Sequence, residues 1–153
     1  MPCVLVIDDK PDVGEALTLL LSLRDIRAVV ASTPEEGLAL LAKERIDLVI
    51  QDMNFSADTT SGEEGVALFR ALRERAPDLP VILLTAWTRL ESAVELVKAG
   101  AADYLAKPWD DTKLLATVQN LLELAESSRE VARFRHERRA RRDALARLSL
   151  IHI

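Results

Sequence analysis

The hydrophobic residues in the first two thirds of the chain follow two alternating patterns. Short runs rich in branched aliphatic residues predict β-strands, and each run is followed by a stretch whose apolar residues recur at helical spacing. Strands are predicted at residues 4–7, 27–31, 48–50, 81–84 and 103–105, and helices at residues 13–23, 35–42, 64–74 and 91–98. The pattern therefore predicts strands and helices that alternate along the chain.

The predicted strands have the composition of a buried parallel sheet. Residues 4–7 and 81–84 are apolar at every position, as expected of strands that crossover helices cover on both faces. Pro11, Thr33 and Gly100 lie where helix starts and a helix end are expected. We therefore predict an α/β fold with a doubly wound, five-stranded parallel sheet, in which a ligand site lies at the carboxyl ends of the strands.

A single long helix is predicted after Pro108. No Gly or Pro occurs at residues 110–150, and small or apolar residues recur three and four apart from Leu114 to Ser128. Arginine dominates residues 133–147, where the apolar residues are scattered. Three clean heptads are not found, so the prediction is limited to a short dimeric coil.

The net charge of −5 is unevenly distributed. Residues 1–126 carry a balance of −10 and residues 127–153 a balance of +5, which indicates two segments with different roles. We place one domain at residues 1–125 and a helical extension at residues 126–153. The acidic body would repel the phosphate backbone of nucleic acids, so direct binding by this part is not expected.

Composition predicts a protein that folds around an aliphatic core. Of the 153 residues, 49% are hydrophobic but 4% are aromatic. The lone cysteine, Cys3, excludes an internal disulfide and is interpreted as a core residue. The apolar runs are far shorter than the roughly 20 residues of a membrane span, and no secretory signal pattern is found. We expect a cytoplasmic location and no membrane partner.

Polar residues follow four of the predicted strands. Asp8 and Asp9 come after the first strand, Asp52 after the third, Thr85 after the fourth and Lys107 after the fifth. Because parallel strands end at one edge, these side chains are expected to converge. Three carboxylates in one place repel one another and suit a hard divalent cation such as Mg²⁺. Taken singly, each residue also has a structural interpretation, as a helix cap, a strand residue or an exposed turn lysine.

The sequence resembles the receiver domains of two-component response regulators over residues 3 to about 125. The resemblance rests on four motifs in the order and spacing of that family, which are VLVIDD at 4–9, DLVIQD at 47–52, LTA at 84–86 and YLAKP at 104–108. It implies a flavodoxin-like sheet with the strand order 2-1-3-4-5, followed by an extended C-terminal helix. It also implies a signalling switch rather than an enzyme.

The resemblance assigns the acceptor and the metal ligands. Asp52 would accept a phosphoryl group from a histidine kinase. Asp9 and Asp52 would bind Mg²⁺ directly, and Asp8 would be an acidic partner that acts through water. The backbone carbonyl of Asn54 would be a further ligand.

The resemblance also assigns the residues that respond to the phosphoryl group. Lys107 would pair with one phosphoryl oxygen and Thr85 would move to hydrogen-bond another. Tyr104 occupies the aromatic switch position and would turn inward as Thr85 moves. A phosphoryl group adds close to two negative charges and strong acceptor oxygens, which an ammonium, a hydroxyl and a metal ion can satisfy.

The loop after Asp52 departs from the family pattern. Residues 55–61 intervene before Gly62, the loop is two residues longer than usual, and the frequent Met-Pro pair is missing. Loops tolerate insertions cheaply, so a neutral insertion is expected, with partner contacts or altered dephosphorylation as the alternatives. Trp87 and Trp109 flank the site and are expected to pack against the body.

Two other functions are alternatives to the switch. A phosphohydrolase of the haloacid-dehalogenase kind also uses an aspartate nucleophile, but it needs a second Asp two residues later, where this chain has Asn54. Direct nucleic-acid binding by the seven arginines of residues 133–147 is less favoured, because Glu137 and Asp143 interrupt them.

The long helix and the sequence KPWD at 107–110 look like the transcriptional activators of the NtrC (sigma-54) type. In that class a receiver is joined by a dimerising helix to an ATPase and a DNA-binding domain. This chain has no Gly-rich ATP-binding loop ending in Lys-Ser or Lys-Thr. We expect a homodimer through the C-terminal helix, and a transcriptional output domain that is absent from this chain.

Overall fold

The computed structural model describes residues 1–54, 63–86 and 90–151, with five strands and five helices among them. In chain order the elements are β1 (Cys3–Ile7), α1 (Pro11–Ser22), β2 (Arg27–Ala31), α2 (Pro34–Lys43), β3 (Leu48–Asp52), α3 (Glu63–Arg75), β4 (Val81–Ala86), α4 (Leu90–Lys98), β5 (Asp103–Lys107) and α5 (Asp111–Ile151). The predictions for the loop at 55–61, for Gly62 and for Trp87 lie outside the described residues.

The five strands form one parallel sheet in the order β2-β1-β3-β4-β5. The predicted doubly wound fold and its strand order are confirmed. Successive residues of β1 point to opposite faces of the sheet: Leu5 and Ile7 belong to one buried cluster, and Val4 and Val6 to another. Helices cover both faces, which explains why these strands are apolar throughout.

The predicted helix signals lie where the helices begin and end. Pro11 and Pro34 occupy the first turns of α1 and α2. The side chain of Thr33 caps α2 by accepting a hydrogen bond of 3.1 Å from the backbone N–H of Glu36. Gly100 follows α4 with φ of 119°, a conformation that favours glycine.

Three strands extend two residues further than predicted. β3 ends at Asp52, β4 at Ala86 and β5 at Lys107. The polar residues that were expected just beyond these strands therefore belong to the ends of the strands themselves. Asp52 pairs with Leu84, and Thr85 pairs with Ala106. The backbone hydrogen bonds of the sheet continue here although the strongly apolar run has given way to alanine or polar residues.

The chain divides into two compact units, Met1–Leu122 and Glu123–Ile153. The first unit contains the sheet and both buried clusters. Cys3 in β1 is buried, as predicted. The second unit is helical, and its side chains are exposed at nearly every position from 123 to 146. The predicted long helix is confirmed by the 41 residues of α5. Among the described residues, no helix has both the length and the apolar character that a membrane crossing requires.

Candidate functional site

The carboxyl edge of the sheet brings together charged residues that are far apart in sequence. Asp8 directly follows β1, Asp52 is the last residue of β3 and Lys107 the last residue of β5. The central position of β1 and β3 in the sheet places both acidic residues in the interior, where Asp8 and Asp52 are each 2% exposed. Buried carboxylates need compensating charge or hydrogen bonds.

Lys107 provides part of that compensation. Its Nζ lies 2.9 Å from Asp8 Oδ2 and 3.0 Å from Asp52 Oδ1, and its side chain is 19% exposed. The ammonium thus joins residues that lie 99 and 55 positions away in sequence. One positive charge faces two negative charges, so the pair of carboxylates is not fully neutralised.

A third carboxylate completes an acidic cluster. Asp8, Asp9 and Asp52 each offer an oxygen within 4.8 Å of the others. Asp9 Oδ1 and Asp52 Oδ2 are buried and have no hydrogen-bond partner among the described residues. Buried anionic oxygens without donors, arranged around one point, are the ligands that a hard divalent cation prefers. The cluster therefore fits Mg²⁺ in both chemistry and arrangement.

Burial and neighbouring charges act in opposite directions on the pKa values of Asp52 and Lys107. Burial raises the pKa of Asp52, which Asp8 reinforces, while Lys107 and the backbone N–H of Asn54 act to lower it. Burial alone would lower the pKa of Lys107, but its hydrogen bond to Asp8 and the charges of Asp52 and Asp8 outweigh burial and raise it. Lys107 therefore stays charged at neutral pH.

Asp8 and Asp9 do not cap helix α1. The N-cap residue is Lys10, and its side chain makes no capping hydrogen bond. Asp8 Oδ1 instead accepts a hydrogen bond of 2.9 Å from the backbone N–H of Lys10, which holds the carboxylate in place. The interpretation of Asp8 and Asp9 as a helix cap is therefore wrong.

Thr85 and Tyr104 lie in different surroundings. Thr85 is 1% exposed, and its Oγ1 donates to the carbonyl oxygen of Ala86 at 3.4 Å. Its neighbour in β5, Ala106, immediately precedes Lys107, so Thr85 belongs to the same edge. Tyr104 is partly buried against the cluster that contains Phe69 and Leu96.

Two other predicted residues have defined contacts. The backbone N–H of Asn54 donates to Asp52 Oδ1 at 3.2 Å, and Asn54 Oδ1 is buried without a hydrogen-bond partner among the described residues. Trp109 packs against the buried cluster that contains Val4 and Val6, and its Nε1 donates to Asp111 Oδ1 at 2.9 Å. The predicted packing of Trp109 is confirmed.

Gln51 was missed as a structural support of the site. It is fully buried in β3, and its Nε2 donates to the carbonyl oxygen of Gly65 in α3 at 2.9 Å. Gly65 lies so close to the strand that an added Cβ would be 2.5 Å from the carbonyl oxygen of Met53. The available signal was a polar residue at the end of an apolar run, directly before Asp52.

An open groove of about 590 Å³ borders the acidic cluster. Its lining includes Asp8 and Asp9, together with Gly14 and Thr18 of α1 and Glu36 of α2. Asp8 and Asp9 therefore lie at the edge of a space through which a small ion or a donor group can approach the site.

The fold and the site define a doubly wound α/β protein with an acidic cluster and a buried lysine at the carboxyl edge of its sheet. The chain belongs to the response regulator receiver domain family, whose family model matches residues 4–119. Members of this family are signalling switches of two-component systems; they are phosphorylated by histidine kinases and bind Mg²⁺ at an acidic pocket.

Several regulators are similar to this chain. The response regulator protein FleR of Pseudomonas aeruginosa is 39% identical over 115 residues, which are 75% of this chain and 23% of FleR. The DNA-binding transcriptional regulator NtrC of Salmonella typhimurium is 32% identical over 119 residues, 78% of this chain and 24% of NtrC. The predicted likeness to regulators of the NtrC type is confirmed.

One similarity extends through the long helix. The C4-dicarboxylate transport transcriptional regulatory protein DctD of Rhizobium meliloti is 34% identical over 150 residues, 98% of this chain and 31% of DctD. A crystal structure of a response regulator receiver domain protein from Clostridium thermocellum has a TM-score of 0.74 and 28% identity, and covers 82% of this chain and 98% of that protein. The chain thus spans less than a third of the length of FleR, NtrC and DctD.

Proposed function

We propose that this chain is a phospho-accepting switch, in which Asp52 takes a phosphoryl group from a histidine kinase with the help of Mg²⁺. The observation that carries the proposal is the joint position of Asp52, Asp8, Asp9 and Lys107 at one edge of the sheet. The buried carboxylate of Asp52 thus lies next to carboxylate oxygens that can bind a cation, and next to an ammonium group that can donate to a phosphoryl oxygen. Phosphoryl transfer depends on this kind of positioning and charge compensation.

Asp52 acts as the nucleophile in the proposed reaction. Its Oδ1 accepts hydrogen bonds from Lys107 and from the backbone of Asn54, whereas Oδ2 has no such partner. A carboxylate oxygen forms a bond to the phosphorus of a phosphohistidine, and the bond from phosphorus to the imidazole nitrogen breaks. The imidazole leaves with the electron pair, and Asp52 becomes an acyl phosphate.

Asp9 and Asp52 would hold Mg²⁺, with Asp8 next to them and the Asn54 carbonyl as a further ligand. Bound Mg²⁺ supplies positive charge that offsets the repulsion between the carboxylates and the incoming phosphoryl group. Lys107 already lies 3.0 Å from Asp52. It can therefore donate to a phosphoryl oxygen after a small movement of its flexible side chain.

Thr85 and Tyr104 would change their arrangement when Asp52 is phosphorylated, and would transmit this change to the rest of the molecule. Thr85 belongs to the same edge as Asp52, and its hydroxyl makes a long hydrogen bond of 3.4 Å, which a phosphoryl oxygen can replace. Movement of Thr85 would open space beside Tyr104 on the neighbouring strand. Two arrangements of these residues would then have populations that depend on phosphorylation.

The helical extension at residues 126–153 would connect this switch to an output domain and form a homodimer. The regulators that the chain matches are several times longer, which supports a transcriptional output outside this chain. We further propose a cytoplasmic location and a switch without substrate turnover. Nucleic-acid binding by the arginine-rich extension is not part of the proposal.

Intact mass spectrometry tests the acceptor. The chain is incubated with a small phosphoryl donor, with Mg²⁺ or with a chelator, beside the variants Asp52→Asn and Asp47→Asn. Asp47 lies directly before β3, at the end of the strand opposite Asp52, and its Oδ2 accepts a hydrogen bond from the backbone N–H of Cys3. It is therefore a matched control. We expect the mass of one added phosphoryl group in the native chain and in Asp47→Asn, dependent on Mg²⁺, and none in Asp52→Asn. Equal phosphorylation of Asp52→Asn would contradict the proposal.

A further inference from the structure

Gln51 places a polar side chain inside an apolar cluster. It is fully buried, and it lies on the same face of β3 as Val49 and Met53, which belong to the cluster that includes Leu68 and Phe69 of α3. A buried amide lowers stability unless its polar atoms are hydrogen-bonded, and an apolar residue of similar shape would fill the position without that requirement. The contacts of the amide therefore indicate what the polar group does.

The two N–H bonds of the amide are directed at carbonyl oxygens from two elements. Gln51 Nε2 donates to the carbonyl oxygen of Gly65, in the first turn of α3, at 2.9 Å and to that of Asp52 at 3.3 Å. The amide thus joins the main chain of Asp52 to the helix that follows. Its Oε1 is buried without a hydrogen-bond partner among the described residues, so one atom of the side chain remains a cost to stability.

The peptide unit between Asp52 and Met53 is held on both sides. Its carbonyl oxygen accepts from Gln51, and its N–H donates to the carbonyl oxygen of Leu84 in β4 at 2.9 Å. The next N–H along the chain, that of Asn54, donates to Asp52 Oδ1 at 3.2 Å. Because peptide units are planar, fixing one unit restricts the orientation of the next. The direction of the Asp52 carboxylate therefore depends on the peptide unit that Gln51 holds.

Gly65 allows α3 to approach the same stretch of main chain. An added Cβ there would lie 2.5 Å from the carbonyl oxygen of Met53 and 2.7 Å from its Cα, so a larger residue would push the helix away from the amide of Gln51. The main chain after Asp52 is thus packed against α3 as well as hydrogen-bonded through Gln51. The carbonyl group of Asn54, the proposed further Mg²⁺ ligand, follows directly on this restricted stretch.

We propose that Gln51 is a positioning residue for Mg²⁺ binding and phosphoryl transfer. Its amide holds the main chain after Asp52, and through it the Asp52 carboxylate and the Asn54 carbonyl oxygen, in the arrangement that binds the cation. The proposal rests on the proposed function of Asp52 and extends it to a residue outside the acidic cluster. Removing an outer partner of a metal ligand typically changes metal affinity or activity about 10-fold to 100-fold.

Calorimetric titration with Mg²⁺ tests this role in the full chain without a phosphoryl donor. Gln51→Met keeps the length of the side chain and removes both N–H bonds, so it should bind Mg²⁺ about tenfold more weakly than the native chain. Val49→Ala is the matched control, because it shortens an apolar side chain on the same face of the same strand, and it should bind Mg²⁺ as the native chain does. Native Mg²⁺ affinity in Gln51→Met, or an equal loss in both variants, would overturn the proposal.

Urea unfolding distinguishes positioning from support of the fold. Gln51→Met removes an unpaired acceptor together with two hydrogen bonds, so its urea midpoint should stay close to the native one. Val49→Ala leaves a cavity and should unfold at a clearly lower urea concentration.

The rate of phosphorylation should respond in the opposite order. Followed by intact mass at a subsaturating Mg²⁺ concentration, it should fall about tenfold in Gln51→Met and remain native in Val49→Ala. A lowered urea midpoint of Gln51→Met with a native rate of phosphorylation would show that Gln51 supports only the fold, and the positioning role would be refuted.

Hydrogen exchange observed by NMR tests the contact in the native chain, independently of any variant. The side-chain N–H groups of Gln51 should exchange at least about tenfold more slowly than those of Asn120, whose side chain is exposed on α5. Exchange as fast as that of Asn120 would show that the amide does not hold Gly65 and Asp52, and would contradict the proposal.

The outcomes separate this proposal from the proposed function. A native chain that takes no phosphoryl group on Asp52 would contradict the function. Native phosphorylation together with the same Mg²⁺ affinity in Gln51→Met would instead contradict only the role of Gln51.

Discussion

Lys107 holds two buried carboxylates with a single positive charge. Its Nζ contacts Asp8 and Asp52 at 2.9 and 3.0 Å, and both carboxylates are almost fully buried. Removing the ammonium leaves these charges without their partner, which is more costly than the loss of an exposed ion pair. The geometry that prepares the site for a phosphoryl group therefore also contributes to the stability of the fold.

Lys107→Met should lower the free energy of unfolding by roughly 3 kcal/mol in the absence of Mg²⁺. The side chain keeps its length but loses its charge, so the change measures the ammonium. Urea unfolding of the two proteins provides the value, and Lys98→Met in the last turn of α4 serves as the exposed control. A cost no larger than that of Lys98→Met would show that Lys107 does not compensate the buried carboxylates.

Asp52→Asn should raise stability at neutral pH without Mg²⁺ by roughly 1–2 kcal/mol, the cost of a buried polar group without a partner. Because burial raises the pKa of Asp52, its ionised form is disfavoured in the folded state. The free energy of unfolding of the native chain therefore falls as the pH rises from 3.8, the ordinary pKa of an aspartate, through the raised pKa of Asp52. Urea titrations at several pH values should show the advantage of Asn shrinking as pH falls towards 3.8 and below. An advantage independent of pH would contradict this account.

At the scale of elements, α3 lies very close to the backbone of Met53, the residue that follows Asp52. An added Cβ at Gly65 would lie 2.5 Å from the carbonyl oxygen of Met53 and 2.7 Å from its Cα. Both atoms are backbone, so the helix itself has to move. At Gly37 in α2 an added Cβ would meet the end of the Ile7 side chain instead.

Gly65→Ala should cost roughly 2–3 kcal/mol, despite the better helix propensity of Ala, because overpacking against backbone cannot be relieved by a rotamer change. Gly37→Ala is the matched control and should cost at least about 1 kcal/mol less, since the Ile7 side chain can adjust. Thermal unfolding of both variants measures the difference. Equal costs would mean that α3 is not held against β3 at Gly65.

The elements also show how far the sequence could predict the structure. Uninterrupted apolar runs were sufficient to predict the parallel strands. Helix ends were predicted from Pro11, Thr33 and Gly100, because these residues act on the backbone locally. The last two residues of β3, β4 and β5 were missed, because alanine and polar residues replace the large apolar ones there while the backbone hydrogen bonds of the sheet continue. Gln51 and Gly65 were missed because their contacts depend on a neighbouring element.

The site itself was predictable in part. The positions of Asp8, Asp9, Asp52 and Lys107 at one edge follow from parallel strands that end together. The bridging of two carboxylates by Lys107, and the burial of unpartnered oxygens on Asp9 and Asp52, depend on side-chain geometry that spacing does not specify. The roles of Thr85 and Tyr104 remain predictions.

At the scale of the whole molecule, the extension at residues 126–153 is the proposed site of dimerisation. Removal of these residues should leave a monomer at concentrations where the full chain is a dimer, because the extension would supply the contact between the two copies. Size-exclusion chromatography with light scattering measures both proteins, and a full chain that is monomeric would contradict the proposed homodimer.

The central claim is that the phosphoryl group resides on Asp52, and peptide mapping after borohydride reduction tests it most directly. An acyl phosphate is reduced to an alcohol, so a phosphorylated aspartate becomes homoserine, whereas free carboxylates do not react. After treatment with a phosphoryl donor and Mg²⁺, tandem mass spectrometry should find homoserine at position 52, and Asp8 and Asp9 intact. Homoserine at another aspartate, with position 52 unchanged, would contradict the assignment.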